Sequence, residues 1–393
     1  MNYKTAILKR NIELVGMFPF VLLGKIAGKI FKLKTRHRIF LFFPWADIGG
    51  SIKVNADIAT CIKNERLLII FTKKPRNNEF RHLFDIEGVR VLDIHKYVDN
   101  KALHFLNFFF RGVLASWINA VENPVVFGGE SMYFYKIVPH VKKETRVVEL
   151  CHLNNWFNFS QSFIKYIDFR IFSSPQIKRD MENLYKKSNV PVKYYQQLYF
   201  VDNMIEVPEL VEVKNDKLEV VFVGRGAAQK RVHLIAAIAK RLHEAGSNVH
   251  FSFVGDVEEI VPDDVKQYCT LYGNVKDKNR VSEIYQKSDV LILTSLFEGL
   301  PIVVMEMMAR GKVILSTAVG GIPDYIEDNK NGLLITETNE DDIVAKGVEK
   351  IQLLIENEPL RKQLGIEAYA YAKNHFSGEV FCKTYKKFFG LVG

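Results

Sequence analysis

Residues 298–306 read EGLPIVVME, and they follow an apolar run, DVLILTS, at residues 289–295. A short apolar run of this kind is typical of a buried parallel strand. Pro301 suits the first turn of a helix, because the amide proton that proline lacks has no partner there. The stretch therefore predicts a strand, a loop that carries Glu298, and a helix that places Glu306 about one and a half turns from its start, at about 3.6 residues per turn. In an open α/β sheet, ligands bind at this carboxyl edge of the strands.

Apolar runs of strand length alternate with helical spacings along the whole chain. Strands are predicted at residues 38–43, 67–71, 89–92, 124–127, 146–150, 219–223, 250–254, 290–294 and 313–316. Helices are predicted at residues 51–64, 102–120, 231–245, 281–287, 302–310 and 341–357. This alternation predicts an α/β fold with two Rossmann-like, doubly wound domains.

The interval 201–217 loses the apolar runs and is acidic and polar, which predicts a linker between the two domains. The predicted organisation is a basic, amphipathic N-terminal segment at 1–37, a first domain at 38–200 and a second domain at 218–377. Residues 378–393 are amphipathic and predict a C-terminal helix.

The order of strand, Glu-Gly-Leu-Pro, helix and second glutamate resembles the donor-sugar site of the retaining glycosyltransferases of family 4, which have the GT-B fold. In that fold two Rossmann-like domains face each other across a cleft, and the last helix crosses back to the N-terminal domain. The resemblance implies that Glu298 binds hydroxyls of the donor sugar, beside the backbone of Gly299 and Leu300, and that Glu306 accepts hydrogen bonds from the ribose hydroxyls. It covers residues 220–334 well and is weak over the first domain.

Two cations occupy the junction between the strand at 219–223 and the following helix. Arg225 and Lys230 lie near the start of that helix, where the helix dipole favours anions, so their presence indicates an anionic ligand. The family grips the donor diphosphate with such a Gly-Arg…Lys pattern, in which arginine offers a planar fork and lysine a mobile point charge. The family usually has glycine after this lysine, where this chain has Arg231.

Two pairs of glycines follow predicted strands. Gly320 and Gly321 resemble the family loop whose backbone approaches a phosphate closely, with Asp324 where the family usually has glutamate. Gly49 and Gly50 match the family's glycine-rich loop, which faces the diphosphate from the other domain. The alternative for each pair is an ordinary turn between a strand and a helix.

His152 follows the strand predicted at 146–150. In the family a histidine at this place lies near the anomeric centre and contacts the donor sugar, and the alternative is a structural histidine. The predicted catalytic residues are His152, Arg225, Lys230 and Glu298. Candidate acceptor contacts, which could equally form a buried aromatic turn, are Asn154, Asn155, Trp156 and Phe157. Residues 273–275 are the candidate for base recognition.

The sequence predicts neither a cofactor nor a metal ion. No Asp-x-Asp motif lies at a strand end, so Arg225 and Lys230 would take the role of a metal cation. The cysteines are far apart and form no Cys-x-x-Cys pair, which argues against a disulfide framework and a zinc site and favours a reducing compartment. The four are Cys61, Cys151, Cys269 and Cys382.

The positive charge of the chain is concentrated at its N-terminus. Residues 1–38 hold nine Lys or Arg and one acid, Glu13, so they carry eight of the nine net positive charges. The rest of the chain is close to neutral, which argues against a nucleic-acid-binding surface.

The same segment has the pattern of a membrane-surface helix. Residues 14–24 form an uncharged run of 11, whereas a spanning helix needs about 20. Further cations are spaced for one helical face: Lys25, Lys29, Lys32 and Arg36. A cationic amphipathic helix lies on anionic membranes, so the sequence predicts a protein at the cytoplasmic face of the cell membrane. The alternatives are a helix packed on the protein's own body and a cleaved signal peptide.

Taken together, these features predict a retaining glycosyltransferase that moves a sugar from a nucleotide-diphosphate sugar to a glycan or lipid-linked acceptor in cell-surface polysaccharide synthesis. A nucleotide-sugar epimerase of the same fold and a non-catalytic membrane-bound relative are the alternatives. A dehydrogenase that binds NAD is disfavoured, because residues 224–226 begin a Gly-x-Gly motif but Gln229 replaces its third glycine.

Overall fold

The computed structural model divides the chain into two compact units. The first unit consists of Met1–Met204 and Phe381–Gly393, and the second consists of Ile205–Val380. The residues that the structure describes are 2–33, 35–47, 49–100, 104–152, 156–298 and 301–392.

A parallel sheet forms the centre of the first unit. Its strands are β1 (Ile39–Phe43), β2 (Leu67–Phe71), β3 (Arg90–Asp93), β4 (Val125–Gly129), β5 (Arg146–Cys151), β6 (Phe169–Phe172) and β7 (Leu198–Phe200). Their spatial order is β3-β2-β1-β4-β5-β6-β7, and all pairs are parallel. Alternate side chains of β1 enter different hydrophobic clusters, with Leu41 on one face of the sheet and Phe40 on the other. The sheet is therefore covered on both faces, as in a doubly wound fold.

Helices connect these strands. They are α1 (Tyr3–Ile30), α2 (Gly50–Cys61), α3 (His95–Val98), α4 (His104–Asn119), α5 (Met132–Ile137), α6 (Phe157–Ser160) and α7 (Pro175–Lys187). The start of α7 shows how the sequence sets a boundary. Ser174 accepts a hydrogen bond from the backbone N–H of Ile177, and Pro175 occupies the first turn.

The N-terminal segment is one 28-residue helix, α1, and it packs along α4. The two backbones touch: a β-carbon on Gly24 would lie 1.9 Å from the carbonyl oxygen of Phe109. The predicted alternative of a helix packed on the protein's own body is thus confirmed for this face of α1. Among the described residues, no helix is both long enough and apolar enough to cross a membrane.

The helix α1 ends at Ile30, so Lys32 and Arg36 lie beyond it. The prediction that they share one helical face with Lys25 and Lys29 is therefore wrong. The chain leaves the helix where the Trp117 indole N–H donates to the carbonyl of Phe31.

The second unit contains a six-stranded parallel sheet. Its strands are β8 (Leu218–Val223), β9 (Val249–Val254), β10 (Cys269–Gly273), β11 (Val290–Leu293), β12 (Val313–Thr317) and β13 (Leu333–Ile335), in the spatial order β10-β9-β8-β11-β12-β13. Its helices are α8 (Val232–Glu244), α9 (Asp263–Lys266), α10 (Lys278–Lys287), α11 (Ile302–Met308), α12 (Glu340–Glu356) and α13 (Glu358–Phe376). Residues 201–217 contain no helix or strand.

The last helix, α14 (Gly378–Phe388), contributes to the core of the first unit. Phe381, Tyr385 and Phe389 are at most 2% exposed, and Phe389 packs edge-on against Phe127 of β4.

A disulfide joins Cys61, at the end of α2, to Cys382 on α14. The prediction against a disulfide framework is therefore wrong, and the cysteines no longer favour a reducing compartment. The two residues are 321 positions apart in the sequence, and the packing of α14 brings their α-carbons to 5.1 Å. Sequence spacing carries no sign of such a long-range pairing. Cys151 and Cys269 are free.

Candidate functional site

In both sheets the strand order reverses direction between two adjacent strands. The reversal lies between β1 and β4 in the first unit and between β8 and β11 in the second. Ligands of open α/β sheets bind at the carboxyl edge of such a switch point. Most of the predicted site residues that the structure describes lie in the loops at the carboxyl edges of these two sheets, and Glu306 lies on α11.

A largely buried ion pair links two loops of the second unit. Lys230 Nζ lies 2.5 Å from Glu298 Oε1, and their side chains are 16% and 7% exposed. The Ser295 hydroxyl donates to the same carboxylate oxygen at 2.6 Å. Because Lys230 follows β8 and Glu298 follows β11, the pair ties together the two loops at the switch point. The structure thus brings two of the predicted catalytic residues into direct contact.

Arg231 holds these two loops in register. Its backbone is left-handed, with φ 47° and ψ 46°, a conformation that favours glycine. Its buried guanidinium donates to the carbonyl oxygens of Thr294 at 2.7 Å and Ser295 at 3.0 Å, at the end of β11. Arginine therefore replaces the family glycine and adds two hydrogen bonds that glycine cannot make. The sequence showed Arg231 only as a departure from the family, and its role was missed.

The Gly320–Gly321 turn packs directly behind Glu298. Gly320 has a φ of +58°, and a β-carbon there would lie 1.8 Å from the carbonyl oxygen of Glu298. The backbone N–H of Gly321 donates to the same carbonyl at 3.0 Å. This close approach gives the first glycine a structural reason to be present. Asp324 lies in the 3-10 turn that follows.

Arg225 is exposed at the end of β8. The described residues give it no ion-pair partner. Its neighbour Gly226 donates a backbone hydrogen bond to the Asp256 carboxylate at 3.0 Å. This bond lowers the pKa of Asp256, and the charge of Arg225 adds to the effect. The Arg225 side chain is therefore free to meet an anionic ligand from solvent.

Glu306 is half-buried on α11 and interacts with Tyr285 of α10. Burial, the charge of Glu306 and a hydrogen bond to its carboxylate raise the pKa of the Tyr285 hydroxyl. One turn further along, the Arg310 guanidinium donates to the backbone carbonyl of Glu306 at 2.9 Å. Tyr285 was missed, because nothing in the helical spacing of α10 indicates which residue meets Glu306.

In the first unit, His152 lies at the end of β5 with its Nε2 atom buried, and among the described residues this atom has no hydrogen-bond partner. Burial lowers the pKa of His152 to about 4. The imidazole is therefore neutral at pH 7.

Glu130, at the end of β4, was not found from the sequence. It has a φ of 54°, and its carboxylate accepts hydrogen bonds from the Ser51 side chain and the backbone N–H of His152. Burial nevertheless raises its pKa. Gly49 precedes α2, and Gly50 and Ser51 are the first residues of that helix. Among the described residues, no atom lies within 4 Å of the place where a β-carbon on either glycine would stand.

Some predicted residues lie outside the described part of the chain: Gly299, Leu300, Asn154 and Asn155. Of the remaining acceptor candidates, Trp156 is 45% exposed and Phe157 is 4% exposed. Within the described ranges, no group of three or more His, Cys, Asp or Glu residues is placed to hold a metal ion.

Residues 206–371 match the sequence model of the family described as glycosyl transferases group 1. An uncharacterized glycosyltransferase of Methanocaldococcus jannaschii is 32% identical over 164 residues, which cover 40% of this chain and 44% of the relative. A trehalose synthase of Pyrococcus horikoshii is 22% identical over 267 residues, which cover 61% of this chain and 62% of the relative. The chain spans only 44% and 37% of the length of the first two curated relatives that it matches.

Solved structures resemble almost the whole chain. The Anabaena protein HepE in complex with UDP has a TM-score of 0.66 at 14% identity, and the match covers 90% of this chain and 100% of that one. The lipopolysaccharide outer core galactosyltransferase WaaB, in its apo form, has a TM-score of 0.66 at 17% identity, over 89% of this chain and 98% of that one. The predicted α/β fold of the GT-B class is confirmed.

Proposed function

We propose that the protein is a retaining, metal-independent glycosyltransferase that moves a sugar from a nucleotide-diphosphate sugar to a glycan or lipid-linked acceptor, in the synthesis of a cell-surface polysaccharide or glycoconjugate. The observation that carries the proposal is the Lys230–Glu298 pair, which lies at the carboxyl edge of the sheet and within the residues that match group 1 glycosyltransferases. Retention of the anomeric configuration rests on the resemblance to family 4.

The two cations would stabilise the leaving diphosphate as negative charge develops on it. Lys230 already lies against Glu298, and Arg225 is exposed on the same strand-to-helix junction. Glu298 neutralises Lys230 and holds the cation in place. When a diphosphate binds, Lys230 would share its charge between the phosphate and Glu298.

Glu298 would then orient the donor sugar. A carboxylate has about four lone-pair sites, and the structure gives Glu298 Oε1 two donors, from Lys230 and Ser295. Acceptor sites therefore remain for sugar hydroxyls. We place Gly299 and Leu300 beside the sugar, and the glycine pair at 320–321 beside the diphosphate, as the resemblance implies.

The nucleotide would be anchored by Glu306, which accepts hydrogen bonds from the ribose hydroxyls. The Tyr285 hydrogen bond fixes the orientation of that carboxylate. A relative of the same fold was solved with UDP bound, so a uridine diphosphate sugar is the first donor to try.

The first unit would contribute His152 and the Gly49–Gly50 turn. A neutral imidazole whose buried Nε2 has no partner within the described ranges suits a hydrogen bond to a sugar hydroxyl better than a role as a charged group. Backbone N–H groups at the open glycine turn suit a phosphate oxygen. We further propose that the protein works on the cytoplasmic face of an anionic membrane, which it contacts through residues 1–37.

The proposal is tested by turnover. The protein is incubated with sugar conjugates of UDP, GDP and ADP, with and without oligosaccharide and lipid-linked acceptors, and both the free nucleoside diphosphate and the mass of the products are measured. A transferase releases the diphosphate and adds one sugar to an acceptor, and NMR of the product gives the anomeric configuration. Isomerised donor without diphosphate release would establish an epimerase. No turnover of any donor, despite donor binding, would establish a non-catalytic relative.

A further inference from the structure

A pocket of about 590 Å³ lies where the end of α1 meets the end of α4, on the first unit. Its walls come from α1, from the connection between α1 and β1, from α4 and from the loop that carries Lys142. Hydrogen bonds fix these walls to each other. Trp117 of α4 binds the carbonyl of Phe31, and Asn119 of α4 accepts a bond from the backbone N–H of Lys142. Contacts within the first unit therefore hold the walls of the pocket in place.

Of the described residues that line this pocket, five are lysines or arginines and none is an aspartate or glutamate; the five are Lys25, Lys29, Lys32, Arg36 and Lys142. In the described part of the chain, none of them forms an ion pair with an acid. The favourable interaction of cations with a helix C-terminus explains Lys29, in the last turn of α1. It does not explain Arg36 and Lys142, which come from two other segments. Such a concentration of unpaired charge indicates an anionic ligand.

An exposed apolar surface runs along α1, the helix that also supplies Lys25, Gly28 and Lys29 to the pocket. Its members recur at helical spacing on the side of α1 opposite the face that packs on α4, and they are 44–76% exposed: Leu8, Ile12, Val15, Leu22, Ile26 and Ile30. Soluble proteins rarely expose a continuous apolar stripe of this length unless it binds another surface. We call these six residues the α1 stripe.

The two features fit one occupant. We propose that the cationic pocket binds the phosphate headgroup of an anionic membrane lipid while the α1 stripe lies in the bilayer interface. A second copy of this chain could cover the apolar stripe, but it would carry the same positive charge, whereas an anionic bilayer supplies the opposite charge together with an apolar layer. The inference deepens the membrane location in the proposed function and does not depend on the donor chemistry.

The test measures co-flotation with vesicles of phosphatidylcholine alone, or with phosphatidate or phosphatidylglycerol added. The pocket variant is Lys32→Ala/Arg36→Ala/Lys142→Ala, whose three residues are exposed and lie outside α1, so the fold should be kept. The matched control removes three exposed lysines elsewhere on the same unit, Lys63→Ala/Lys186→Ala/Lys187→Ala.

We expect the wild type to float with both anionic vesicles and not with phosphatidylcholine alone. Each cation near an anionic surface contributes about fivefold in affinity, so the pocket variant should lose roughly 100-fold and the control no more than about fivefold. Ile26→Ser/Ile30→Ser should also release the protein, because it removes part of the α1 stripe.

Several results would overturn the inference. Equal losses of vesicle affinity in the pocket variant and the control would show that the attraction is diffuse and that the pocket is not a lipid-binding site. Inorganic pyrophosphate that stabilises the wild type without vesicles, and not the pocket variant, would identify a soluble ligand in place of a lipid. A dimer in light scattering that Ile26→Ser/Ile30→Ser dissociates would assign the α1 stripe to a second copy. The thermal shift that a nucleotide causes in the pocket variant is measured as well. A normal shift shows that the donor site is intact, so a failure of the donor site can be told apart from each of these outcomes.

Discussion

Lys230 and Glu298 are 68 residues apart in the sequence, and their charged atoms lie 2.5 Å apart at the carboxyl edge of the second sheet. Each side chain comes from the loop after a different strand, β8 or β11. The contact couples the cation that would bind the diphosphate to the carboxylate that would bind the sugar. A substitution of one of the two residues should therefore change the position and the electrostatic environment of the other.

Lys230→Ala should lower kcat by about 10²–10³-fold, as the loss of one preorganised transition-state contact does. The KM for the donor should rise much less, because the cation acts mainly on charge that develops in the transition state. Steady-state kinetics with the preferred donor measure both constants. Lys287→Ala, an exposed lysine of the same unit, is the control, and a normal kcat in Lys230→Ala would remove this residue from the site.

Arg231→Ala should destabilise the second unit by about 1–3 kcal/mol, because it removes the guanidinium donor from the Thr294 carbonyl and leaves the Ser295 carbonyl with only the Thr317 hydroxyl. Arg231→Gly loses the same bonds but relieves a left-handed backbone that costs about 1–2 kcal/mol, so it should be less damaging. Denaturant unfolding measures the free energy of unfolding of both variants and so gives their order of stability. Equal stability of Arg231→Ala and the wild type would show that the guanidinium does not hold the loops together.

Glu306→Ala should weaken nucleotide-sugar binding, and Tyr285→Phe should weaken it by a smaller factor, because it only frees the carboxylate from its hydrogen bond. Neither change should alter kcat strongly, since both residues lie on the nucleotide side of the proposed site. Titration calorimetry with the preferred nucleotide compares the two variants. A larger loss of nucleotide affinity in Tyr285→Phe than in Glu306→Ala would contradict the proposal that Glu306 binds the ribose and Tyr285 only orients Glu306.

Reduction of the Cys61–Cys382 disulfide should destabilise the first unit by about 2–4 kcal/mol, the usual contribution of one disulfide. Thermal unfolding with and without dithiothreitol measures the effect, and Cys382→Ser should match the reduced wild type. Cys269→Ser is the control, because that cysteine is free and lies in the other unit. If reductant leaves the unfolding temperature of the wild type unchanged, the disulfide does not contribute to stability.

His152 should make the first unit less stable in acid. Burial lowers its pKa to about 4 in the folded state, from about 6.5 in the unfolded chain. Between these values the unfolded chain binds more protons, so stability falls as the pH drops from about 6.5 to about 4, and the favourable contribution is complete above about 6.5. The slope from one group cannot exceed about 1.4 kcal/mol per pH unit. His152→Gln should flatten the stability profile in this window, whereas the same change at the exposed residue His233 should not.

The clearest strands in the sequence are those with unbroken apolar runs, such as β1 and β11. The run of β6 is interrupted by Arg170, which is 1% exposed and paired with buried Glu149 at 2.6 Å. Arg170 divides the four residues of β6 into pieces too short to predict a strand, whereas the longer run of β5 predicts a strand although it contains Glu149. The sequence does not reveal β7 and β13, because each has only three residues and so forms no apolar run of strand length.

The candidate site was predictable only where sequence neighbours determine it. Arg225, Lys230 and Glu298 lie at junctions between strands and helices, which the order of elements predicts. The supporting contacts, such as those of Arg231 and Glu130, join loops that are distant in sequence, so only the folded chain reveals them.

The central claim is tested most directly by a thermal-shift panel of UDP, GDP, ADP, CMP, NAD and their common sugar conjugates, on the wild type and on Lys230→Ala. The account predicts that one nucleoside diphosphate stabilises the wild type and that the shift is lost in Lys230→Ala. Stabilisation by NAD alone, or by none of these ligands, would contradict it.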